Sequence, residues 1–185
     1  MLIAFAGITG IGKSYYKDKL VEKLGFDKIK IITTRQIRDG EKNNDDKVFI
    51  NMQELEHLKK ENKIAYEFEM LGNIYAYSKD ELFSDKNTVF ELHYSTIFDL
   101  KKICPNLCVI YLMPKDINKA KEKTIQRNLP KDVEKKRLAE IDEHYHNVTC
   151  DKKLRSMFDY IVYNDYDKQS EDEILSLVSH LINQN

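Results

Sequence analysis

The sequence predicts an α/β fold, in which a mainly parallel β-sheet carries helices on both faces. Short apolar runs alternate with amphipathic stretches along most of the 185 residues, which is the pattern of repeated strand–helix units. The first apolar run, residues 2–6, leads directly into a glycine-rich segment. Residues 34–78 interrupt the alternation with several short strands, so we expect a small strand-rich lobe inserted into the main sheet.

The glycine-rich segment has the P-loop pattern G-x-x-x-x-G-K-S, because it reads Gly7-Ile8-Thr9-Gly10-Ile11-Gly12-Lys13-Ser14. In such a loop, backbone N–H groups point at phosphate oxygens, and the start of the next helix adds partial positive charge. We expect Lys13 to contact the β- and γ-phosphates of a nucleoside triphosphate and Ser14 to offer its hydroxyl to Mg²⁺. The alternative is a tight turn in an unrelated α/β protein.

The remaining elements follow from apolar spacing. Tyr16, Leu20 and Leu24 indicate a first helix, which Gly25 can cap. The predicted strands lie at residues 28–34, 48–50, 64–70, 74–77, 88–92, 107–113 and 160–163. Asp116 and Asp132 are candidate N-terminal caps for two of the later helices, which we place at residues 52–61, 95–103, 116–127, 132–150 and 171–182. Residues 35–47 are polar and turn-rich, so we expect a loop there.

The charge balance argues against some classes of protein. Thirty basic residues stand against 31 acidic ones, which disfavours a protein that coats nucleic acid or an anionic membrane. No apolar stretch approaches the roughly 20 residues that span a bilayer, and the apolar start lacks the basic residues of a signal peptide. We therefore expect a cytoplasmic protein that acts on small molecules, as a monomer or a homodimer.

Two groups of residues have the composition of metal ligands. Cys104 and Cys108 are four apart, but no second pair follows at the spacing of a zinc site. We expect these two residues and Cys150 to be reduced thiols. His144 and His146 would point to different faces of a helix, so we expect both to be solvated. The sequence requires no metal other than Mg²⁺.

A second candidate site lies just past the second predicted strand. Residues 33–41 read Thr-Thr-Arg-Gln-Ile-Arg-Asp-Gly-Glu, with Arg35 and Arg38 three apart. Arginine suits bidentate contacts to phosphate, and loops at the carboxyl ends of parallel strands share one edge with the P-loop. The two arginines could therefore face the triphosphate across a cleft. A solvated charged loop is the alternative.

These motifs together resemble the guanylate kinases, a family of P-loop nucleoside monophosphate kinases. Residues 7–14 match the family's P-loop, and residues 33–41 match T-T-R-x-P-R-x-G-E except that Ile37 replaces the proline. Residues 43–50 loosely match an acidic loop and aromatic strand. Further matches are a G-N-x-Y turn and a D-Y-x-x-x-N-D segment, formed by Gly72, Asn73, Ile74 and Tyr75 and by Asp159, Tyr160, Asn164 and Asp165. The resemblance spans nearly the whole chain.

The resemblance implies an ATP-dependent kinase that converts GMP or dGMP and ATP to GDP or dGDP and ADP, with Mg²⁺ on the phosphates. The catalytic positions are Lys13, Arg35, Arg127 and Arg137. The ATP-binding positions are Gly7, Ile8, Thr9, Gly10, Ile11, Gly12, Lys13, Ser14, Tyr15 and Asn164; for Asn164 a plain turn residue after the last strand is the alternative. The monophosphate-binding positions are Arg35, Arg38, Glu41, Tyr66, Tyr75, Tyr77 and Glu91.

The resemblance also implies three parts. These are a core at residues 1–33, 79–126 and 141–185, a monophosphate-binding lobe at 34–78, and a mobile helical lid at 127–140. Lys123 stands where a further lid arginine is usual. Closure of such a lid excludes water that would otherwise hydrolyse ATP.

The departures from the family gather at the guanine pocket. In place of the family's serine, tyrosine, glutamate and small hydroxyl residue, the chain has Ile31, Lys47, Tyr66 and Tyr77. A one-residue shift of the alignment would instead bring Glu67 and Ser78 into the last two positions. His93 replaces the second residue of an acidic pair that begins with Glu91. Because a carboxylate reads guanine by accepting from its N1–H and N2–H₂ groups, selectivity for guanine is the open question.

Two other functions stay open. A kinase of the same fold could act on another acceptor, such as a different nucleoside monophosphate or ribose 1,5-bisphosphate. Some guanylate-kinase-like domains instead bind phosphorylated peptides without catalysis. Those domains typically have a degraded P-loop, whereas Lys13 and Ser14 are intact in this sequence.

Overall fold

The computed structural model describes residues 1–37, 41–43, 45–70 and 72–184. The strands in this part of the chain are β1 Leu2–Gly7, β2 Asp27–Lys28, β3 Ile31–Thr33, β4 Lys47–Phe49, β5 Ile64–Met70, β6 Asn73–Ser78, β7 Thr88–Glu91, β8 Leu107–Pro114 and β9 Tyr160–Asn164. The helices are α1 Lys13–Leu24, α2 Met52–Lys60, α3 Lys79–Leu82, α4 Ile97–Ile103, α5 Ile117–Ile125, α6 Lys131–Cys150, α7 Lys152–Arg155 and α8 Lys168–Gln184. None of these helices is long and apolar enough to cross a membrane.

The main sheet has five parallel strands in the order β2-β7-β1-β8-β9. Strand β1 lies in the middle, and its side chains alternate between two hydrophobic clusters. Ala4 packs with Tyr111 on one face, whereas Phe5 packs with Leu112 on the other. A strand that is buried on both faces is apolar throughout, which is why residues 2–6 form an unbroken apolar run. The predicted parallel sheet between two layers of helices is confirmed.

A second, smaller sheet has the order β4-β3-β6-β5, in which β6 runs antiparallel to both of its neighbours. Helix α2 covers one face through Leu55, which packs against Ile32 and Ala76. Asn51 begins this helix with a capping box, because its side chain accepts from the Glu54 N–H while Glu54 accepts from the Asn51 N–H. The other face of the sheet is aromatic and points toward the main sheet.

The prediction of one strand at residues 28–34 is wrong, because the chain passes there from one sheet to the other. Strand β2 pairs with β7 in the main sheet, and the Ile29 N–H still bonds to the Val89 carbonyl at 3.0 Å. Strand β3 pairs with β4 and β6 in the small sheet. An apolar run indicates burial, but it does not distinguish two sheets that share one core.

The predicted caps of α1 and α5 are confirmed, whereas α8 starts at Lys168, before the predicted residue 171, and the predicted cap of α6 fails. Gly25 caps α1 in the left-handed conformation, and Asp116 caps α5 by accepting from the Asn118 N–H. The predicted cap at Asp132 is wrong, because α6 starts at Lys131 directly after Pro130 and Asp132 lies inside the first turn. A proline fits the start of a helix, where no N–H is needed, and an acidic side chain in the first turn favours the helix dipole.

Candidate active site

A cleft of about 420 Å³ lies where the two sheets and helix α6 meet. The carboxyl ends of β1 and β7 reach it through Gly7 and Glu91, and the small sheet contributes Tyr75 and Tyr77. Helix α6 contributes Arg137 from the third side. The cleft therefore lies at the edge of the parallel sheet where ligands bind in open α/β folds.

The P-loop curls around its own lysine at the floor of this cleft. The Lys13 Nζ donates to the carbonyls of Gly7 and Ile8, both at 2.9 Å. Gly12 begins α1 in the left-handed region with φ 95°. Burial lowers the pKa of Lys13; Glu91 opposes this shift, and the positive charges of Arg127 and Arg137 add to it. A bound triphosphate would take over the bonds that Lys13 now makes to the loop.

The side chains of Ile8 and Ile11 are fully buried in the core, so only their backbones can face a nucleotide. Asn164 supports the loop from behind. Its side-chain amide donates to the Ile11 carbonyl at 2.7 Å, and its oxygen accepts from Tyr16 Oη at 2.6 Å. Asn164 is 1% exposed. Asn164 therefore supports the P-loop from the end of β9, and its position near the ATP base stays a prediction.

Tyr15 lies on the outer side of α1, where its ring is half-exposed and its hydroxyl donates to Glu171. The contact of Tyr15 with ATP stays a prediction.

Ser14 and Glu91 bring two oxygen donors together beside the P-loop. Burial opposes ionisation of Glu91, but Lys13, Lys17 and hydrogen bonds from Ser14 and Lys17 keep its pKa below the usual range. A hydroxyl and an ionised carboxylate are the hard oxygen ligands that Mg²⁺ prefers. The predicted magnesium position at Ser14 therefore fits the donors present, with Glu91 as a second candidate ligand.

Arg35 lies in the small lobe and is buried. Its Nη2 donates to both carboxylate oxygens of Glu41 at 2.8 Å, and its guanidinium stacks over the Phe49 ring at 5.2 Å. Lys47 approaches the same carboxylate at 3.6 Å. Of the three residues predicted to bind the monophosphate in this loop, Arg35 and Glu41 thus contact each other. Arg38 lies outside the described residues.

The wall that the small sheet presents to the cleft is aromatic. Tyr75 and Tyr77 line the cleft, and the Tyr77 hydroxyl donates to the Glu91 carbonyl at 3.3 Å. Phe68 on β5 stacks against Tyr75 with ring centroids 5.4 Å apart. Tyr66 departs from the prediction, because it hydrogen-bonds to Asp99 of α4 and does not line the cleft.

The one-residue shift of the alignment, which would assign Glu67 and Ser78 to the guanine pocket, brings no carboxylate into the cleft either. Glu67 points to the opposite face of the sheet, where it pairs with Lys59 of α2 at 3.0 Å. Ser78 caps α3 by accepting from the Glu81 N–H. The described residues of β5 and β6 therefore offer no acidic side chain to a base in the cleft.

Two histidines, His93 and His144, line a further wall of the cleft. The expectation that His144 is solvated was wrong: it is 8% exposed, its ring lies 4.1 Å from that of Tyr94, and burial lowers its pKa to about 3. His146 is exposed, as expected. The signal for burial was the spacing of Ile141, His144 and Val148 along one face of α6, and all three are buried.

His93 lines the cleft beside this cluster and is neutral, because burial lowers its pKa. Its Nδ1 accepts from the Ser95 backbone N–H at 3.4 Å, and a backbone N–H can only donate. Ser95 Oγ, 2.7 Å from the same Nδ1, can donate to it as well, and the neutral tautomer that accommodates both contacts carries its hydrogen on Nε2. His93 thus presents a hydrogen-bond donor to the cleft, whereas a carboxylate at the same position would present an acceptor.

Lys17 is a cleft residue that the sequence did not single out. Its side chain is 4% exposed, and its Nζ lies 2.8 Å from Asp46 Oδ1 and 3.2 Å from Glu91 Oε1. The available signal was its place one helical turn after Lys13, which puts both lysines on the same face of α1.

Of the two predicted lid arginines, Arg137 lines the third side of the cleft and Arg127 does not line it. Arg137 donates to Glu140 at 2.7 Å within α6, and Arg127 is exposed just after α5. Both positive charges act on Lys13. The structure therefore brings five predicted site residues into one cleft, namely Lys13, Arg137, Tyr75, Tyr77 and Glu91. Arg35 does not line this cleft, but it contacts Glu41, which Lys47 at the edge of the cleft also approaches.

Comparisons with known proteins agree with this geometry. The family model for guanylate kinase matches residues 1–184. A guanylate kinase of Bacillus subtilis (strain 168) is 25% identical over 184 residues, covering 96% of this chain and 87% of the relative. One from Streptococcus thermophilus (strain CNRZ 1066) is 28% identical over 171 residues, covering 89% and 79%.

The fold has a solved counterpart. The crystal structure of guanylate kinase from Anaplasma phagocytophilum matches with a TM-score of 0.71 at 19% identity, over 97% of this chain and 85% of that one. This match concerns the arrangement of strands and helices.

Proposed function

The chain belongs to the guanylate kinase family, and from this premise we propose that it transfers the γ-phosphoryl group of ATP to a nucleoside monophosphate. GMP and dGMP are the first acceptors to consider, because the curated relatives are guanylate kinases. The observation that carries the proposal is the cleft itself, where Lys13 of the P-loop faces Arg137 of α6 beside the wall of the small sheet.

The proposed mechanism is positioning and charge neutralisation. Backbone N–H groups of the P-loop hold the ATP phosphates, and Lys13 moves from the loop carbonyls to the γ-phosphate. Ser14, with Glu91 nearby, would hold Mg²⁺, which would supply further positive charge to the ATP phosphates. Arg127 and Arg137 neutralise the equatorial oxygens of the transferring group.

The acceptor phosphate would bind at the small lobe. Arg35 is held by Glu41 with its guanidinium plane fixed over Phe49, which prepares it for a planar contact to phosphate. Arg38 is the proposed second arginine, and the Tyr75 hydroxyl is the proposed third contact. Residues 127–140 are the proposed lid, whose closure over these groups would exclude water.

A coupled assay of ADP release with GMP and dGMP tests this function, together with the shift in melting temperature that ATP and Mg²⁺ cause. We expect acceptor-dependent ADP release. No release with any acceptor and no stabilisation by ATP would contradict the kinase function and favour the phosphopeptide-binding module instead.

A second acceptor class is favoured by one observation, the donor on His93. Guanine presents N1–H and N2–H₂ donors, which find no carboxylate on the described residues of β5 or β6 and meet an N–H at His93. Adenine and cytosine present an unprotonated ring nitrogen at the same edge, which can accept from that N–H. AMP, dAMP, CMP and dCMP therefore belong in the assay, with UMP and ribose 1,5-bisphosphate as further arms.

We also propose a cytoplasmic protein whose partners are ATP and a nucleoside monophosphate, without nucleic acid or membrane. Monomer and homodimer are both compatible with this function. Size-exclusion chromatography with light scattering, with and without both nucleotides, separates the two.

A further inference from the structure

The cleft contains a buried lysine that the proposed kinase mechanism does not use. Lys17 is almost fully buried, and its Nζ contacts one carboxylate from each side of the cleft. Glu91 ends β7 in the main sheet, whereas Asp46 directly precedes β4 in the small sheet. A lysine is rarely buried without a partner, because removal of its charge from water is costly. Lys17 thus sits where the two halves of the protein meet.

The contacts of Lys17 continue toward the acceptor site. Asp46 is followed by Lys47, whose Nζ approaches Glu41, and Glu41 accepts from Arg35. A row of alternating charges therefore runs from α1 to Arg35. A second lysine, Lys28 in the edge strand β2 of the main sheet, reaches the same oxygen, Asp46 Oδ1, at 3.4 Å. Asp46 is therefore a point at which two lysines outside the small lobe are tied to that lobe by charge.

Removal of Lys17 would leave two carboxylates facing each other. Asp46 Oδ1 and Glu91 Oε1 are no more than 6.0 Å apart, since that is the sum of their distances to the same Nζ. Both groups have pKa values below their usual range, and Lys17 contributes to each shift. Without Lys17, repulsion would separate the two oxygens. Asp46 directly precedes the short edge strand β4, whereas Glu91 ends a strand inside the five-stranded sheet, so we expect Asp46 to be the group that moves.

We propose that Lys17 is a positioning residue for the acceptor site: it anchors Asp46, and with it the Lys47–Glu41–Arg35 contacts, to the P-loop helix. This inference rests on the proposed kinase function. It assigns Lys17 to the acceptor side of the cleft although the residue lies on the ATP-binding helix. Lys17 touches neither nucleotide in this arrangement, and it acts through Asp46.

A double-mutant cycle with Lys17→Met and Asp46→Asn tests the anchor. We expect each variant to raise the acceptor KM about 10-fold or more, because displaced contacts at a phosphoryl-transfer site are costly. For Asp46→Asn the KM for ATP stays within about two-fold, since this substitution changes neither the P-loop nor Glu91. The double variant is no worse than the worse single variant, because both changes break one contact. Lys23→Met is the matched control: this lysine lies on the same helix but pairs with Glu22 on the surface.

Hydrogen exchange gives a readout that does not depend on turnover. We expect Lys17→Met to accelerate exchange at the amides of residues 45–49, and Lys23→Met to leave it unchanged. Equal rises in both KM values for Asp46→Asn, additive effects in the cycle, or unchanged exchange would overturn the anchor. If Lys17→Met does not fold, Asp46→Asn decides alone by the same two readouts. A wild-type chain that turns over no acceptor would contradict the kinase function, while the exchange data would still test the anchor.

Discussion

Glu91 ends β7 with a partly buried side chain, and this burial alone would favour its neutral form. Two lysines and the Ser14 hydroxyl outweigh this effect, so that the carboxylate stays ionised beside the P-loop. For Lys13, burial and two arginines lower the pKa, whereas Glu91 raises it and so favours the charged form. The ion pairs of the cleft therefore hold each other in charged form, and each one is sensitive to the loss of its partner.

Lys13→Ala tests the P-loop at the scale of one side chain. We expect kcat to fall by about 10²–10³-fold or more, because the variant lacks a charge that stabilises the transferring phosphoryl group. The melting temperature without nucleotide should change little, since Lys13 donates to two loop carbonyls that water can reach once the side chain is gone. Normal turnover in a folded Lys13→Ala variant would show that the P-loop is not the active site.

His93→Asp tests how the base is read. The change replaces an N–H donor by a carboxylate acceptor, which suits the N1–H and N2–H₂ groups of guanine. We expect the ratio of kcat/KM for GMP over AMP to rise by about 10–100-fold, which is the effect of one or two hydrogen bonds to the base. His146→Asp is the control, because His146 is exposed on α6. An unchanged ratio would place His93 outside the base pocket.

At the scale of elements, the P-loop is packed tightly against α5. Gly10 has φ 83°, and a Cβ there would lie 2.5 Å from the Ala120 carbonyl oxygen and 2.8 Å from Thr124 Oγ1. The loop is therefore shaped by its neighbour as well as by its own glycines. This contact links the position of α5 to the geometry of the phosphate site.

Gly10→Ala should therefore destabilise the protein by more than about 2 kcal/mol, because a left-handed residue costs about 1–2 kcal/mol and the clash adds to it. ATP affinity should fall as well. Gly25→Ala is the matched control: its φ is 69°, but no atom lies within 4 Å of the added Cβ, so only the conformational cost of about 1–2 kcal/mol remains. Urea unfolding and ATP titration measure both effects, and equal losses in the two variants would contradict the tight packing of the loop.

Most elements were predictable, because their apolar spacing matches burial on one or two faces. The wrong or missing predictions concern segments whose tertiary structure is not determined by the local sequence pattern. One apolar run, residues 28–34, serves two sheets, and the one-turn helices α3 and α7 are too short to show a period. At α6, Pro130 begins the helix before the acidic residue that had the better capping chemistry.

The candidate site was predictable where a motif specifies backbone and chemistry together, as in residues 7–14. Residues that act through tertiary contacts were not. Lys17 and Asp46 are 29 positions apart in the sequence, and nothing local indicates that they pair. Asn164 and Tyr66 matched family positions, but their partners in this fold are Ile11 and Asp99.

At the scale of the whole molecule, His144 makes stability depend on pH. Its pKa is about 3 in the folded chain and 6.5 ordinarily. Below pH 6.5 the unfolded chain binds a proton that the folded chain excludes, so the free energy of unfolding falls as the pH is lowered toward 3. The slope is at most about 1.4 kcal/mol per pH unit, and we expect a loss of about 2 kcal/mol between pH 7 and pH 5. His93 acts in the same direction, since its pKa is also lowered.

Urea unfolding at pH 7 and pH 5 measures this loss. His144→Gln should flatten the dependence, because the variant has no imidazole to protonate. His57→Gln should leave it unchanged, since His57 is exposed on α2. A wild-type protein with equal stability at both pH values would contradict the burial of His144.

Helix α6 is one continuous rod of 20 residues, about 30 Å long. Its second half is clamped in the core by Ile141, His144 and Val148, and its first half carries Arg137 over the cleft. If the first half swings, the pivot lies at the start of the buried half or at residues 128–130, where Asn128 has φ 51°. The displacement of each residue in this half then grows with its distance from the pivot. Because Arg137 and His144 lie on the same helix, a tilt of the whole helix would move the His144 ring against Tyr94 together with Arg137. The histidine wall of the cleft would therefore shift whenever Arg137 does.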